Sequence, residues 1–431
     1  MGEPKTPNTV FRELREREWR SSRTEAARMI RKKAAELGEP VECDARTISL
    51  WEDGTTACPR PIYQRVLYAM TGRNPEQLGF APPRRGRRPA TESAEEDGTP
   101  DMRRRSLLIA AGAGLLTDAG PAGNEGDRQL GDAHVQAILD TEQRLYAQDR
   151  QFGAVELNQL AATAVARANR WLRNGRYSEQ VGRRLQLATG ALSVTAGWLA
   201  LDSGRTTDAR SLYTEALVCA RHADDPGLEA HAFGCLSLLA TSTDHPREAV
   251  STARVAQRAA AQLGSPRWLS LLAMREARGW ALQGDRTLTE QALVRAYHLY
   301  GQGPRDADPA WLEFFVPAEL TGLESLCRAD LGQYERACAG AEQTVMLFAA
   351  DHTRNRALYT ADIALHHARK PRPDLDAAVD AAHRALRYLP GVHSDRLTRA
   401  LDAVAGVLTP HEQVRSVAGY FDIYRAARAP Q

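Results

Sequence analysis

The stretch DSGRTTDARSLYTEAL, residues 202–217, opens with a turn-like Asp202-Ser203-Gly204-Arg205. It then carries Ala209, Tyr213 and Ala216-Leu217 at helical spacing. Related signals recur on either side of a regular interval. Thr243-Asp244-His245-Pro246 leads into Ala249-Val250 and Ala253, and Gln283-Gly284-Asp285 leads into Ala292-Leu293 and Ala296. Positions 204, 244 and 284 are 40 residues apart. After a longer gap, Leu331-Gly332-Gln333-Tyr334 precedes Ala337 and Ala341. Lys370-Pro371-Arg372-Pro373 then precedes Ala377-Ala378 and Ala381-Ala382. Each unit reads as helix, Gly- or Pro-marked turn, helix. Small alanines on both helices let backbones approach closely, and a unit this size buries its apolar face only against a neighbour. An irregular Ala-rich bundle would show no such period. The spacing therefore predicts an α-solenoid over residues 131–428, a region with continuous helical periodicity and hardly any strand signal.

Working outward, the 431 residues divide into three regions by composition. Hydrophobic residues at 43% and charged residues at 26% are ordinary for a soluble chain able to bury a sizeable core. Residues 8–80 carry helical periodicity and aromatic anchors. Residues 81–130 include PPRRGRRPATESAEEDGTPDM (82–102), a Pro-, Gly- and charge-rich linker that cannot bury enough apolar surface to fold. The net charge of +2 conceals an uneven distribution. Residues 1–90 hold 18 Lys/Arg against 12 Asp/Glu, residues 91–130 hold 4 against 8, and the remainder 34 against 34. The basic surplus sits at the N-terminal end, where it would help attract a polyanion. The six cysteines are scattered without a C-x-x-C pair, so they read as reduced thiols rather than metal ligands or a disulfide framework. Arg103-Arg104-Arg105 before the apolar run Leu107–Leu116 looks like a twin-arginine export signal. Its position behind a folded domain argues against export, and ten apolar residues are too few to span a bilayer. The expected location is cytoplasmic, nucleoid-associated, with no membrane partner.

The N-terminal region holds the richest local signal, Asp44-Ala45-Arg46-Thr47-Ile48-Ser49-Leu50-Trp51-Glu52-Asp53-Gly54, followed by Pro59. Asp44 is a good N-cap, Ile48 and Trp51 share one helix face, and Gly54 can stop the helix. Arg46, Ser49 and Leu50 lie on the opposite face. The reading is a short helix with a buried back and an outward face able to reach base edges. Val10-Phe11 and Leu14 mark a helix upstream. Ser22 caps a second, with Ala26-Ala27 and Met29-Ile30 inward. Ile62, Val66-Leu67 and Met70 mark another downstream, and Leu78-Gly79-Phe80 closes the module.

This tract resembles the Xre/Cro-type helix-turn-helix family, whose recognition helix commonly ends I-S-x-W-E-x-G-x-x-x-P. The resemblance implies that Ala45, Arg46, Thr47, Ser49 and Leu50 contact double-stranded DNA in the major groove. Arg46 would read guanine O6 and N7 bidentately. Arg23 and Arg60 would contact phosphates, which hold register without reading sequence. It further implies a structural ion pair between Glu52 and Arg15. Ala27 and Ile48 lie 21 residues apart, a longer interval than the family's usual one, so helix 2 is expected to run on to about Leu37-Gly38. The whole chain resembles actinobacterial Xre-type regulators with C-terminal tetratricopeptide repeats.

No catalytic constellation stands out. His411-Glu412-Gln413-Val414-Arg415 has Arg415 where a zinc-protease helix needs its second His. Gly112-Ala113-Gly114 lacks the third glycine and preceding strand of a dinucleotide fingerprint. No P-loop or nucleophile elbow occurs. His366 and His367, being adjacent on a helix, point about 100° apart. No cofactor or metal is expected, and the chain reads as no enzyme. The expected function is a homodimeric transcriptional regulator binding an inverted-repeat operator. Its repeats would mediate dimerisation and take a peptide, small molecule or partner protein, an effector role suggested by resemblance to peptide-pheromone receptors. Trp198, Trp280, Arg275 and Tyr297 are candidates to line the groove. The alternative is a repeat-based interaction scaffold without specific DNA binding.

Overall fold

The computed structural model describes residues 7–36, 41–56, 58–59, 61–71, 73, 75–80, 129–152, 157–349, 352–392 and 394–428. The chain is all-α. Among the described residues there is no strand, only an isolated bridge between Gln129 and Arg176. It divides into two compact units, residues 1–97 and 98–431. Most of the expected linker, including Arg103–Arg105 and Leu107–Leu116, lies outside the described residues, as does Arg60.

The first unit contains α1 (Thr9–Glu13), α2 (Arg23–Glu36), α3 (Ala45–Glu52) and α4 (Pro61–Thr71). A π-helical turn, Leu14–Glu18, continues α1, and a 3-10 turn at Glu76–Leu78 follows α4. Each start has a local cause. Asn8 accepts from the Phe11 amide at 3.0 Å to cap α1. Ser22 and Glu25 form a reciprocal capping box on α2, and Asp44 accepts the Thr47 amide at 2.7 Å at the head of α3. Gly54, at φ +69°, lets the chain turn away just past α3. Phe11, Leu14, Ala27, Ile30, Ala34, Ile48, Trp51, Leu67 and Phe80 make one core. Trp51 is its hub, edge-on to Phe11, Tyr63 and Phe80 at 5.2–5.9 Å. Met29, expected inward, points outward instead. It sits one residue around the helix from the buried Ile30, and the 100° step carries it into solvent.

The second unit is a stack of helical hairpins of tetratricopeptide-like form. They are α5 (Asp132–Phe152) with α6 (Leu157–Asn174), α7 (Glu179–Asp202) with α8 (Thr206–Ala223), and α9 (Pro226–Ser242) with α10 (Pro246–Ala260). Next come α11 (Pro266–Leu282) with α12 (Arg286–Tyr300), and α13 (Pro317–Asp330) with α14 (Tyr334–Leu347). The last are α15 (Thr353–Arg369) with α16 (Leu375–Leu386), and α17 (Asp395–Leu408) with α18 (Arg415–Arg428). The turns read from sequence are the hairpin turns. Gly204, Asp244, Gly284 and Gly332 all take left-handed φ between +58° and +76°, and Asp225 and Asp285 cap the helices that follow. Buried alanines at 209, 216, 220, 249, 253, 292 and 296 lie between helices, as the repeat pattern requires. The longer gap after α12 holds a 3-10 turn, Ala310–Phe314.

One close approach is between α7 and α8. A Cβ at Gly197 would sit 2.4 Å from the Tyr213 ring, which has no exposure. Gly197→Ala is therefore expected to destabilise the full chain by about 1–3 kcal/mol through overpacking. Gly406 in α17 meets nothing within 4 Å, so Gly406→Ala should stabilise by roughly 0.5–1 kcal/mol. Denaturant titration of the two variants checks the opposite signs.

Candidate functional site

In the first unit, α3 buries Ile48, Trp51 and Glu52 and exposes Arg46 and Leu50, with Ala45, Thr47 and Ser49 half-buried. Glu52 is the electrostatic centre. Its carboxylate is fully buried, accepts from Arg15 Nε at 2.5 Å and Arg23 Nε at 2.8 Å, and has Arg12 Nε 3.8 Å away. Arg15 in turn donates to the Ser21 carbonyl at 2.8 Å and to Glu16 at 2.9 Å, tying the α1–α2 connection to α3. Burial pushes the Glu52 carboxyl up, and the hydrogen bonds from Arg15 and Arg23 outweigh it, holding it below the usual carboxylate range.

The ion pair expected between Arg15 and Glu52 is present. Arg23, expected to contact phosphate, also takes part in this ion pair. Its Nε, at the first residue of α2, is engaged by Glu52 at the end of α3, and its side chain remains 41% exposed. The hydroxyls of α3 also turn along the chain. Thr47 Oγ1 donates to Asp44 at 2.7 Å and Ser49 Oγ to Asp53 at 3.0 Å. Arg46 and Leu50 therefore carry most of the outward face.

In the second unit, the four aromatic and basic residues expected to share a groove are dispersed. Tyr297 is on α12 and donates to Glu324 at 2.5 Å. Trp280 donates to Glu276 and lies under Arg254. Trp198 and Arg275 instead belong to a separate interior cluster that sequence reading missed. Trp198, on α7, lies under Arg354 at 5.7 Å and Arg396 at 5.5 Å. One turn on, the fully buried Asp202 meets Arg354 at 3.5 Å, Arg396 at 3.7 Å and the Ser394 hydroxyl at 3.3 Å. The C-terminal end of α7 is thus clasped by the first turns of α15 and α17, across three intervening hairpins.

Behind the clasp lie charged groups that are only partly compensated. Arg278 pairs with Asp330 at 3.2 Å, and Glu319 accepts from Asn355 at 3.2 Å. Arg275 has a buried Nε without a hydrogen-bond partner among the described residues, and burial pulls its pKa down. Burial pushes the Asp362 carboxyl up to about 6 against the pull of Arg278 and Arg396. Burial also pushes His231 down to about 3, while its ring stacks on Trp311 of the 3-10 turn, 3.8 Å apart and 7° from parallel. Burial raises the thiols of Cys43, Cys235 and Cys338 to about 11, so they stay protonated and poorly nucleophilic. Cys43, Cys219, Cys235, Cys327 and Cys338 are all buried and none is in a disulfide. No cluster of His, Cys, Asp or Glu suited to a metal ion occurs among the described residues.

No protein-family model matches the chain, and no curated protein does. Among solved structures, the chain is similar to a Rap protein complexed with competence and sporulation factor. That likeness has 11% identity and a TM-score of 0.46, and covers 76% of this chain and 82% of that one. It is also similar to a signal transduction ATPase with numerous domains and a tetratricopeptide repeat sensor, from Pyrococcus horikoshii. There the identity is 12% and the TM-score 0.33, with 69% of this chain and 53% of that one covered. Both likenesses are slight, and the architecture rests on the helices described above.

Two charged groups give opposite pH signatures. Glu52 has a depressed pKa, so its stabilisation is present above the unfolded value of about 4.3 and is lost as pH falls through the folded one. Glu52→Gln should destabilise the first unit by about 3 kcal/mol, since it leaves the buried Arg15 with only the exposed Glu16 as counter-ion. It should also remove that acid sensitivity, read as amide hydrogen exchange across α3 in the full chain. Asp362 has a raised pKa, so wild-type stability falls as pH climbs from about 4 through about 6. Asp362→Asn should gain on the order of 1–2 kcal/mol at neutral pH and nothing below pH 4, as denaturant midpoints across that range will show.

Proposed function

We propose that the protein is a DNA-binding transcriptional regulator built on a helical-repeat interaction scaffold. The first unit reads double-stranded DNA through α3, and the repeat unit takes an effector or partner. The observation that carries this is the orientation of α3. Ile48, Trp51 and Glu52 lock its back into the core and leave Arg46 exposed at the first turn. A recognition helix needs such a rigid back, because a bidentate guanidinium–guanine contact demands a fixed angle of approach. A homodimer would offer two such helices to successive major grooves of an inverted repeat, and a ligand in the repeat unit would bias their separation. Among the described residues no helix is long and apolar enough to cross a membrane.

A second reading, an interaction scaffold without specific DNA binding, has its own support. Arg15 and Arg23 are engaged by Glu52, while Asp44 and Asp53 flank α3 with negative charge. Both features weaken the pull on phosphate.

Binding of the full chain to genomic fragments across a salt titration separates the two. The regulator forms a specific complex whose affinity falls steeply with salt. Arg46→Ala then loses about 1–3 kcal/mol on the selected site and relaxes preference at one base position. A variant that binds its site as well as wild type refutes the assignment of α3. Absence of any specific complex at physiological salt leaves the scaffold.

A further inference from the structure

Along α10, Arg247, Arg254 and Arg258 recur at intervals of seven and four residues. At 3.6 residues per turn these steps return to one stripe, with rises of about 10 and about 6 Å. All three arginines are exposed. The stripe forms the wall of a surface cavity of about 330 Å³ whose remaining lining includes Val250, Val255 and Trp280. Beside it lies a second hollow of about 600 Å³, to which Arg247 is common, so the two run together as one groove.

The charge along this groove is not balanced. Glu276 is almost wholly buried and accepts from Arg254 at 2.9 Å, Arg295 at 2.6 Å, Gln257 at 2.8 Å and the Trp280 indole at 3.2 Å. One carboxylate thus answers two guanidiniums, and its own acceptor capacity is filled. Glu248, at the rim of the second hollow, is held bidentately by Arg210. No other acid lines either hollow among the described residues, so Arg247 and Arg258 add positive charge without a carboxylate on the wall to answer it. Meanwhile the floor is apolar. Valines and an indole at the bottom of a positive groove suit a ligand with both carboxylates and apolar side chains. A phosphodiester backbone would use the charge and gain little from the floor.

We propose that the α10–α11 groove docks an acidic amphipathic helix of a partner protein. Its carboxylates would take Arg247, Arg254 and Arg258, and its apolar side chains would cover Val250, Val255 and Trp280. Acids spaced seven and four residues apart on such a helix repeat the rise of the arginines, so all three contacts form at once. This inference rests on the reading of the repeat unit as an interaction scaffold and is independent of α3, so the DNA titration and the test below fail separately.

The test is fluorescence anisotropy of a fluorescein-labelled amphipathic helical peptide with glutamates at the arginine spacing and leucines between them. The wild-type full chain should bind it saturably and more weakly as salt rises. The Arg247→Glu/Arg258→Glu variant should weaken binding by about tenfold or more, and the Arg247→Gln/Arg258→Gln variant by less. Both arginines are exposed, and unchanged helical circular dichroism verifies that folding is retained. Absence of saturable binding to wild type overturns the proposal, as does equal binding of the same peptide with glutamines for glutamates. Displacement of the peptide by duplex DNA that the charge-reversed variant no longer binds would assign the groove to phosphate and overturn it too.

Discussion

At Gly197 the backbone of α7 lies so close to the Tyr213 ring that a methyl group has no room. The same closeness recurs where Gly322 meets Tyr359, Gly190 meets Leu228 and Gly279 meets Val250. This approach of backbones is what the repeat unit depends on. Helices packed through Ala and Gly gain dispersion contact along their length but expose too little apolar surface to stand singly. Each hairpin is consequently stable only between neighbours. The 40-residue period seen in the sequence follows from that requirement.

In the first unit the corresponding constraint is electrostatic. Glu52 is fully buried, and a carboxylate in that setting persists only if cations and hydrogen bonds replace its water. Arg15 from the π-helical turn after α1 and Arg23 from the start of α2 supply them, so three separate segments are held in register by one side chain. Trp51 does the apolar half of the same task, with aromatic contacts to Phe11, Tyr63 and Phe80. The outward angle of Arg46 is a consequence of how firmly its neighbours Ile48, Trp51 and Glu52 are anchored.

Legibility in the sequence was uneven. The hairpin turns could be read because left-handed φ selects Gly or Asp locally, and the cap at Asp44 could be read because an Asx side chain satisfies amides two or three residues on. The Arg15–Glu52 pair was legible only through resemblance. Arg23 on Glu52 was not, because it depends on how the start of α2 packs against the end of α3. The clasp of Trp198 and Asp202 by Arg354 and Arg396 left no trace, since the partners lie more than 150 residues apart and each is unremarkable in its own helix. The 3-10 turn that stacks Trp311 on His231 showed only as a longer gap.

The sequence by itself determined the all-α class, the position of five hairpin turns, the caps at Ser22 and Asp44, and the buried and exposed faces of α3. All of these follow from preferences acting within one or two helical turns. Only the tertiary structure decided which arginines Glu52 engages, how α7 meets α15 and α17, and which aromatic residues share a surface. The first is set by how three short segments pack around one carboxylate, and the others by the accumulated rotation of many stacked hairpins, quantities no local pattern encodes.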